Sequence, residues 1–99
     1  MNIKSMSNPS ICIPKINVNT PKHFIKHIFE KHNLGKIKKI HIVSTNKFNK
    51  AFIHFEYWYD NVKSLKVREY LNNQLDFKIM YNEPWYWKCF VYFKKSETK

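Results

Sequence analysis

The sequence has few cysteines and lacks the common catalytic motifs. It contains only two cysteines, Cys12 and Cys89, which are too few for a disulfide scaffold and do not form a C-x-x-C metal or redox motif. We therefore expect two free thiols in a reducing compartment. The sequence has no P-loop, no Ser/His/Asp order and no paired carboxylates of the kind that perform hydrolysis. These absences argue against an enzyme, and we expect no cofactor.

Long apolar segments are also missing. No window of 18 or more consecutive apolar residues is present, and residues 1–5 lack the basic, apolar and small-residue order of a signal peptide. The sequence therefore predicts a soluble protein that is not secreted and has no membrane partner.

Positive charge is abundant. The 99 residues include 18 Lys and Arg against 7 Asp and Glu, which gives a formal net charge of +11. Such a chain attracts anionic partners, including nucleic acid, over long distances. Arg68 is the only arginine, however, and Lys, Asn, Ile, Phe and Tyr are all encoded by AT-rich codons. An AT-rich genome is therefore a second explanation for the charge.

The length and the 43% hydrophobic content predict one domain with one core. We expect a flexible leader at 1–9, the domain at 10–93 and a flexible basic tail at 94–99. Apolar alternation predicts strands at 10–16, 36–45, 50–55, 77–81 and 85–93. Helical spacing predicts helices at 20–34 and 62–73.

Local signals set the expected ends of these elements. Thr20 is the predicted N-cap of the first helix and Gly35 its C-cap, because glycine favours the left-handed conformation found there. Asp60-Asn61 is predicted to supply the cap of the second helix. Pro14 lacks an N–H group, so the first strand should end or bulge there. In the second helix, the predicted core contacts are Ser64, Val67 and Leu71.

The strand at 50–55 has two chemically different faces. One is apolar and typical of a core, whereas Lys50, Phe52 and His54 share the other. A cation, a flat ring and a titratable ring suit phosphate pairing and base stacking with single-stranded nucleic acid. The same alternation places Lys39 and His41 outward on the preceding strand.

The last strand continues this pattern. Lys88 should not be buried unpaired, so Tyr86, Lys88 and Phe90 are expected outward. The inward residues are expected to be Trp85, Trp87, Cys89 and Val91, whereas Cys12 should face outward on the first strand. The predicted nucleic-acid-binding residues are therefore Lys39, His41, Lys50, Phe52, His54, Tyr86, Lys88 and Phe90.

Grouped as β-α-β-β-α-β, the elements predict an α+β, ferredoxin-like fold: a four-stranded antiparallel sheet with two helices on one face. This arrangement resembles the RNA recognition motif (RRM) family. Residues 11–16 stand where that family has a six-residue motif on its first strand, and residues 48–55 where it has an eight-residue motif on its third. The family's outward aromatics fall at Cys12, Lys50 and Phe52, so only Phe52 retains a ring.

The chain more closely resembles the small RRM-like proteins of nucleocytoplasmic large DNA viruses. The residues that carry this likeness are 50–55, 58–61 and 81–88, together with the AT-rich codon signature. The resemblance implies a viral protein in the host cell cytoplasm, a viral factory or the virion.

Two function classes follow. The first is an RRM-like module that binds single-stranded nucleic acid, RNA in preference to DNA, with weak sequence selectivity because arginine is scarce. The alternative is a viral protein–protein interaction module, or a self-associating one, that uses the fold without binding nucleic acid.

Histidines raise two further possibilities. His23 and His27 have the i, i+4 spacing of a metal site with His32 nearby, but no local Cys or carboxylate completes it. We expect surface histidines and no metal. His41 and His54 on the open sheet face could in principle cleave RNA by acid/base catalysis, but such a solvated pair is more often inert.

Overall fold

The described part of the chain is residues 7–92, which the computed structural model folds into two helices and one sheet. The elements are β1 (Ser10–Ile16), α1 (Lys22–His32), β2 (Gly35–Ser44), β3 (Asn49–Trp58), α2 (Val62–Asn72), β4 (Phe77–Asn82) and β5 (Trp85–Tyr92). The sheet has the order β2-β3-β1-β5-β4, and all neighbouring strands are antiparallel. The predicted α+β class is confirmed. The prediction of four strands is wrong, because β4 pairs with β5 as a fifth strand at the sheet edge.

One hydrophobic core joins both helices to the sheet. On each strand its residues alternate with more exposed ones, so both helices pack against the same face. The main buried side chains are Ile11, Ile13, Ile25, Ile28, Phe29, Ile40, Ala51, Ile53, Phe55, Leu71, Ile79, Trp87 and Cys89. Within residues 7–92, no helix packs on the opposite face.

The ends of α1 differ from the prediction. Pro21, not Thr20, is the N-cap residue, and it accepts backbone hydrogen bonds from the first turn without a side-chain cap. At the other end Asn33 adopts the left-handed conformation (φ 58°), and its N–H donates to the Glu30 carbonyl. Asparagine tolerates this conformation well. Because Asn33 ends the helix, the predicted Gly35 cap is wrong.

Gly35 has a different role as the first residue of β2. A Cβ atom added there would lie 2.6 Å from the Tyr57 carbonyl oxygen and 2.8 Å from the Trp58 Cα atom. Both are backbone atoms that cannot rotate away. Close approach of β3, and not helix termination, therefore explains the glycine.

The predicted start of α2 is confirmed. The Asn61 side-chain oxygen accepts a hydrogen bond from the Ser64 N–H at 2.8 Å. The buried Ser64 hydroxyl donates to the Leu34 carbonyl at 2.8 Å, which ties the helix to the loop before β2. Leu71 is also buried and Val67 packs against the core, as predicted.

The N-terminal approach to β1 is held by the core. Pro9 is buried, and its carbonyl accepts a hydrogen bond from the indole Nε1 of the buried Trp58 at 3.0 Å. Of the predicted leader, residues 1–6 lie outside the described residues, as does the predicted tail at 94–99. Strand β1 was expected to end or bulge at Pro14; it continues to Ile16, and its pairing with β3 shifts register between Ile13 and Ile16.

The hairpin of β4 and β5 corrects one inward position. Trp85 was predicted in the core but is 62% exposed. Between Met80 and Asn82 the register with β5 shifts by one residue, so the alternation does not continue to the hairpin end. The Tyr81 ring stacks on Trp87 at 4.5 Å between centroids and covers the core there. In the part of the chain described here, neither helix is long and apolar enough to cross a bilayer.

Candidate nucleic-acid interface

The sheet face turned away from the helices, called the open face below, carries all eight predicted site residues. Most of them alternate along their strands with residues that point toward the core, whereas Lys39 follows the exposed Lys38 and Tyr86 follows the exposed Trp85. They come from three strands: Lys39 and His41 from β2, Lys50, Phe52 and His54 from β3, and Tyr86, Lys88 and Phe90 from β5.

The centre of the open face is a row of four side chains on four adjacent strands. His41 pairs with Phe52, Phe52 pairs with Cys12, and Cys12 pairs with Phe90. Phe90 is 39% exposed, whereas Phe52 is half-buried by its neighbours. Two benzyl side chains thus stand on either side of the Cys12 thiol in this row.

A second row lies beside the first. Lys39 pairs with His54 and Ser10 pairs with Tyr92, while the Ser10 hydroxyl and His54 Nδ1 are 2.9 Å apart. Tyr92 contacts both rows, because its ring centroid lies 4.8 Å from that of Phe52 in the first row and 6.1 Å from that of His54 in the second.

Tyr92 was not among the predicted site residues, although it is central to the face. The signal was present in the sequence, since Tyr92 stands two positions after Phe90 on the same strand. The predicted outward set stopped at Phe90. Phe52, Phe90 and Tyr92 are called the aromatic patch below.

Lysines border the aromatic patch. Lys50 pairs with Val43 next to the central row, and Lys88 pairs with Lys78 of β4. The Lys88 ammonium lies 3.9 Å from an Asp76 carboxylate oxygen, but both side chains are largely exposed and such a pair is weak. Lysines therefore lie on both sides of the rings.

Tyr86 lies away from the aromatic patch, in the region of the β4–β5 hairpin. It pairs with Met80 and its ring lies 4.8 Å from the Lys78 ammonium. The Lys88 position separates it from Phe90. The predicted residues therefore form one central group and an outer position at Tyr86.

The two histidines of the open face are not directly opposite each other. His41 stands opposite Phe52, whereas His54 stands opposite Lys39 and contacts the Ser10 hydroxyl. Cross-strand pairing therefore does not place the two imidazoles opposite each other for joint action on one ribose phosphate. The Ser10 hydroxyl and the Tyr92 ring contact His54 on the open face.

The two cysteines have the predicted orientations. Cys12 lies half-buried on the open face and Cys89 is fully buried in the core, and both are free. Burial raises the pKa of the Cys12 thiol, while the nearby Lys50 charge opposes this shift. Burial also raises the pKa of Cys89 strongly, with a smaller contribution from Cys12.

The histidines of α1 are arranged differently from a metal site. His23 and His27 are exposed, and His32 contacts the Met80 carbonyl at 3.0 Å and the Lys63 ammonium at 2.8 Å. Within residues 7–92 no group of three or more His, Cys, Asp or Glu side chains is placed to hold a metal ion.

Comparison with protein-family models and with curated proteins gives no match to this sequence. Functional conclusions therefore depend on the chain's own residues and geometry.

Proposed function

We propose that this chain is an RRM-like module that binds single-stranded nucleic acid on its open face, RNA in preference to DNA. The observation that carries the proposal is the contact of Phe52 with Tyr92 at the centre of a helix-free sheet face bordered by lysines. Aromatic rings stack on bases of any sequence, and lysines pair with phosphates.

The strand order supports the RRM-like part of the proposal. The two motif-like segments lie on β1 and β3, which are neighbours in the sheet and place Cys12 directly beside Phe52. In the order β2-β3-β1-β5, these two strands are central, and β4 is an addition at the edge. Where the family has an aromatic residue at the Cys12 position, Tyr92 of β5 provides a ring beside Phe52 instead.

The side chains favour affinity over sequence selectivity. Each stacked base contributes about 1–3 kcal/mol, whichever base it is. Among the described residues, the open face carries the lysines Lys39, Lys50, Lys78 and Lys88, and lysine lacks the rigid fork with which arginine reads guanine. If all four contact phosphates, the logarithm of affinity should fall with that of salt with a slope of about −3.

The test is a titration of labelled oligouridylate, oligoadenylate and oligocytidylate, each followed by fluorescence anisotropy at two salt concentrations. We expect similar affinities for the three and a strong loss at the higher salt. Lys50→Gln should make the slope less negative by about 0.7, because one phosphate contact is lost. Lys66→Gln, at an exposed position of α2, is the matched control and should leave the slope unchanged.

A protein–protein interaction module is the second candidate. Three large side chains of the β4–β5 hairpin are exposed: Trp85 is 62%, Met80 48% and Tyr86 43% exposed, and Met80 pairs with Tyr86. Aromatic residues and methionine are enriched in protein interfaces. Absence of binding to all three oligonucleotides at low salt would favour this candidate, and concentration-dependent sedimentation would then test self-association.

The viral setting is part of the same proposal. Its support is the Lys- and Asn-rich composition and the resemblance of residues 50–55 and 81–88 to small viral RRM-like proteins. The corresponding location is the host cell cytoplasm or a viral factory. Staining of infected cells with an antibody to this chain would test it.

A further inference from the structure

A basic groove lies between α1 and β2, on the helix side of the sheet. Its volume is about 490 Å³, and it is lined by Lys22, His23, Lys26, Ile37, Lys38, Lys39 and Ile40. Of these seven residues, four are lysines and none is acidic. The two isoleucines pack in or against the core, so the floor is apolar and the rim is cationic. This combination suits a polymer whose phosphates contact the cationic rim and whose apolar ring faces contact the floor.

A bulge in β2 connects the groove with the open face. Ile37 pairs with Phe55 and Lys39 pairs with His54, so β2 has three residues where β3 has two. The extra residue is Lys38. As a result two consecutive lysines are exposed at this edge of the sheet, where strict alternation would direct one of them toward the helices.

Lys38 lines cavities on both sides of the edge. Besides the basic groove, it lines a cavity of about 190 Å³ to which Ser10 and His54 of the open face also contribute. Since β2 is the last strand on its side of the sheet, no further strand separates the two cavities. The second row, from Tyr92 through His54 to Lys39, therefore ends at the sheet edge that borders the groove.

We propose that the groove between α1 and β2 binds the phosphates of the same single strand where that strand leaves the open face. This inference rests on the proposed function and extends it, because it gives the bound strand a direction and a second contact region. Lys22, Lys26 and Lys38 supply charge on flexible stems, which suits successive phosphates that differ in position. Two acidic side chains compete for these lysines: Glu30, whose carboxylate lies 3.9 Å from the Lys26 ammonium, and Glu56, which lines the smaller cavity beside Lys38. Both carboxylates are exposed enough to exchange partners, since the Lys26–Glu30 and Lys36–Glu56 pairs are each more than half exposed. Phosphates can therefore replace them at little cost.

The test compares two lengths of labelled oligouridylate on three proteins. A strand of about 4 nucleotides is long enough for the aromatic patch only, and one of about 12 nucleotides also reaches the groove. The groove variant combines Lys22→Gln, Lys26→Gln and Lys38→Gln and keeps Lys39, which also belongs to the open face. The control variant combines Lys31→Gln, Lys63→Gln and Lys66→Gln, which removes the same charge from exposed positions elsewhere.

We expect the short strand to bind the three proteins with similar affinity. The long strand should bind the groove variant about 10- to 100-fold more weakly than wild type near 0.1 M salt, with a slope less negative by about 2, because three phosphate contacts are lost. The control variant should remain close to wild type. Circular dichroism should show the wild-type fold in both variants, since the replaced side chains are exposed.

An independent readout uses the wild-type protein alone. Backbone amide shifts of His23 and Lys26 should change when the long strand is added and stay unchanged with the short one. Equal affinity of the long strand for the groove and control variants, or unchanged shifts with the long strand, would overturn the inference and leave the proposed function standing. If wild type binds neither strand at low salt, the proposed function itself fails and the groove has no role in it.

Discussion

Replacement of Phe52 by alanine separates the binding role of the open face from its structural role. The ring is half-buried, and its main described contacts are with Tyr92 at 4.8 Å and His41 at 6.4 Å between centroids. Such an aromatic pair stabilises a protein by about 0.5–1.5 kcal/mol beyond its buried area. Truncation of a fully buried Phe costs about 3–5 kcal/mol, so we expect Phe52→Ala to lose about 1–2 kcal/mol of unfolding free energy.

Relative to its effect on stability, Phe52→Ala should have a larger effect on binding. Loss of one stacked base removes about 1–3 kcal/mol of binding free energy, which corresponds to about 5- to 140-fold weaker affinity. The salt slope should stay unchanged, because no charge is removed. Fluorescence anisotropy with oligouridylate measures affinity and slope, and urea unfolding measures stability.

Tyr70→Ala is the matched control, because Tyr70 is 44% exposed on α2 and lies away from the open face. It should change neither affinity nor salt slope. The double variant Phe52→Ala/Tyr92→Ala should show non-additive binding losses, since the two rings are in contact. Unchanged affinity in Phe52→Ala with the fold intact would refute the stacking argument.

Three further predictions concern stability. Gly35→Ala should lower the unfolding free energy by about 1–3 kcal/mol in urea titrations, because the new Cβ would lie 2.6 Å from the Tyr57 carbonyl oxygen. Asn61→Ala should cost about 1 kcal/mol in the same assay, since the 2.8 Å cap to the Ser64 N–H is lost, whereas Asn61→Ser should retain most of it. Burial raises the pKa of Cys89 above its ordinary value of 9.0, so the folded state holds this proton more tightly than the unfolded state. Stability from this group should be constant below pH 9 and fall above it by up to about 1.4 kcal/mol per pH unit, and Cys89→Ala should remove that part of the loss in urea titrations across pH.

Local signals predicted some elements well. The Asn61 cap and the core positions Ser64 and Leu71 depend on side chains within the same helix, and the register shift around Pro14 follows from a missing N–H group. The outward position of Phe52 follows from alternation over a regular stretch of β3. None of these features needs a distant part of the chain to be known.

The ends of α1 required long-range information. Both Asn33 and Gly35 are residue types that can end a helix, and the sequence favoured the glycine. The structure uses Asn33 because Gly35 is needed where β3 approaches β2 at Tyr57. A constraint between residues 22 positions apart therefore decided a local choice.

Bulges limited the prediction of the candidate site. Alternation fails at Trp85 because the β4–β5 register shifts, and it fails at Lys38 because β2 has an extra residue. No proline or glycine marks the bulge at Lys38, whereas Pro84 directly precedes Trp85 and marks the turn but not the register shift. The basic groove was missed for the same reason, since strict alternation does not bring Lys38 and Lys39 to one edge.

Cys12 provides the most direct test of binding on the open face, because it lies between Phe52 and Phe90 in the central row. Iodoacetamide reacts with the thiolate, and burial raises the Cys12 pKa, so the reaction is best followed at about pH 8.5. Alkylation of each cysteine can be quantified by mass spectrometry with and without a saturating oligouridylate of about 12 nucleotides. Binding on the open face predicts that the oligonucleotide slows alkylation of Cys12 strongly and leaves the buried Cys89 unreacted in both samples. An unchanged rate at Cys12 under saturating oligonucleotide would contradict it.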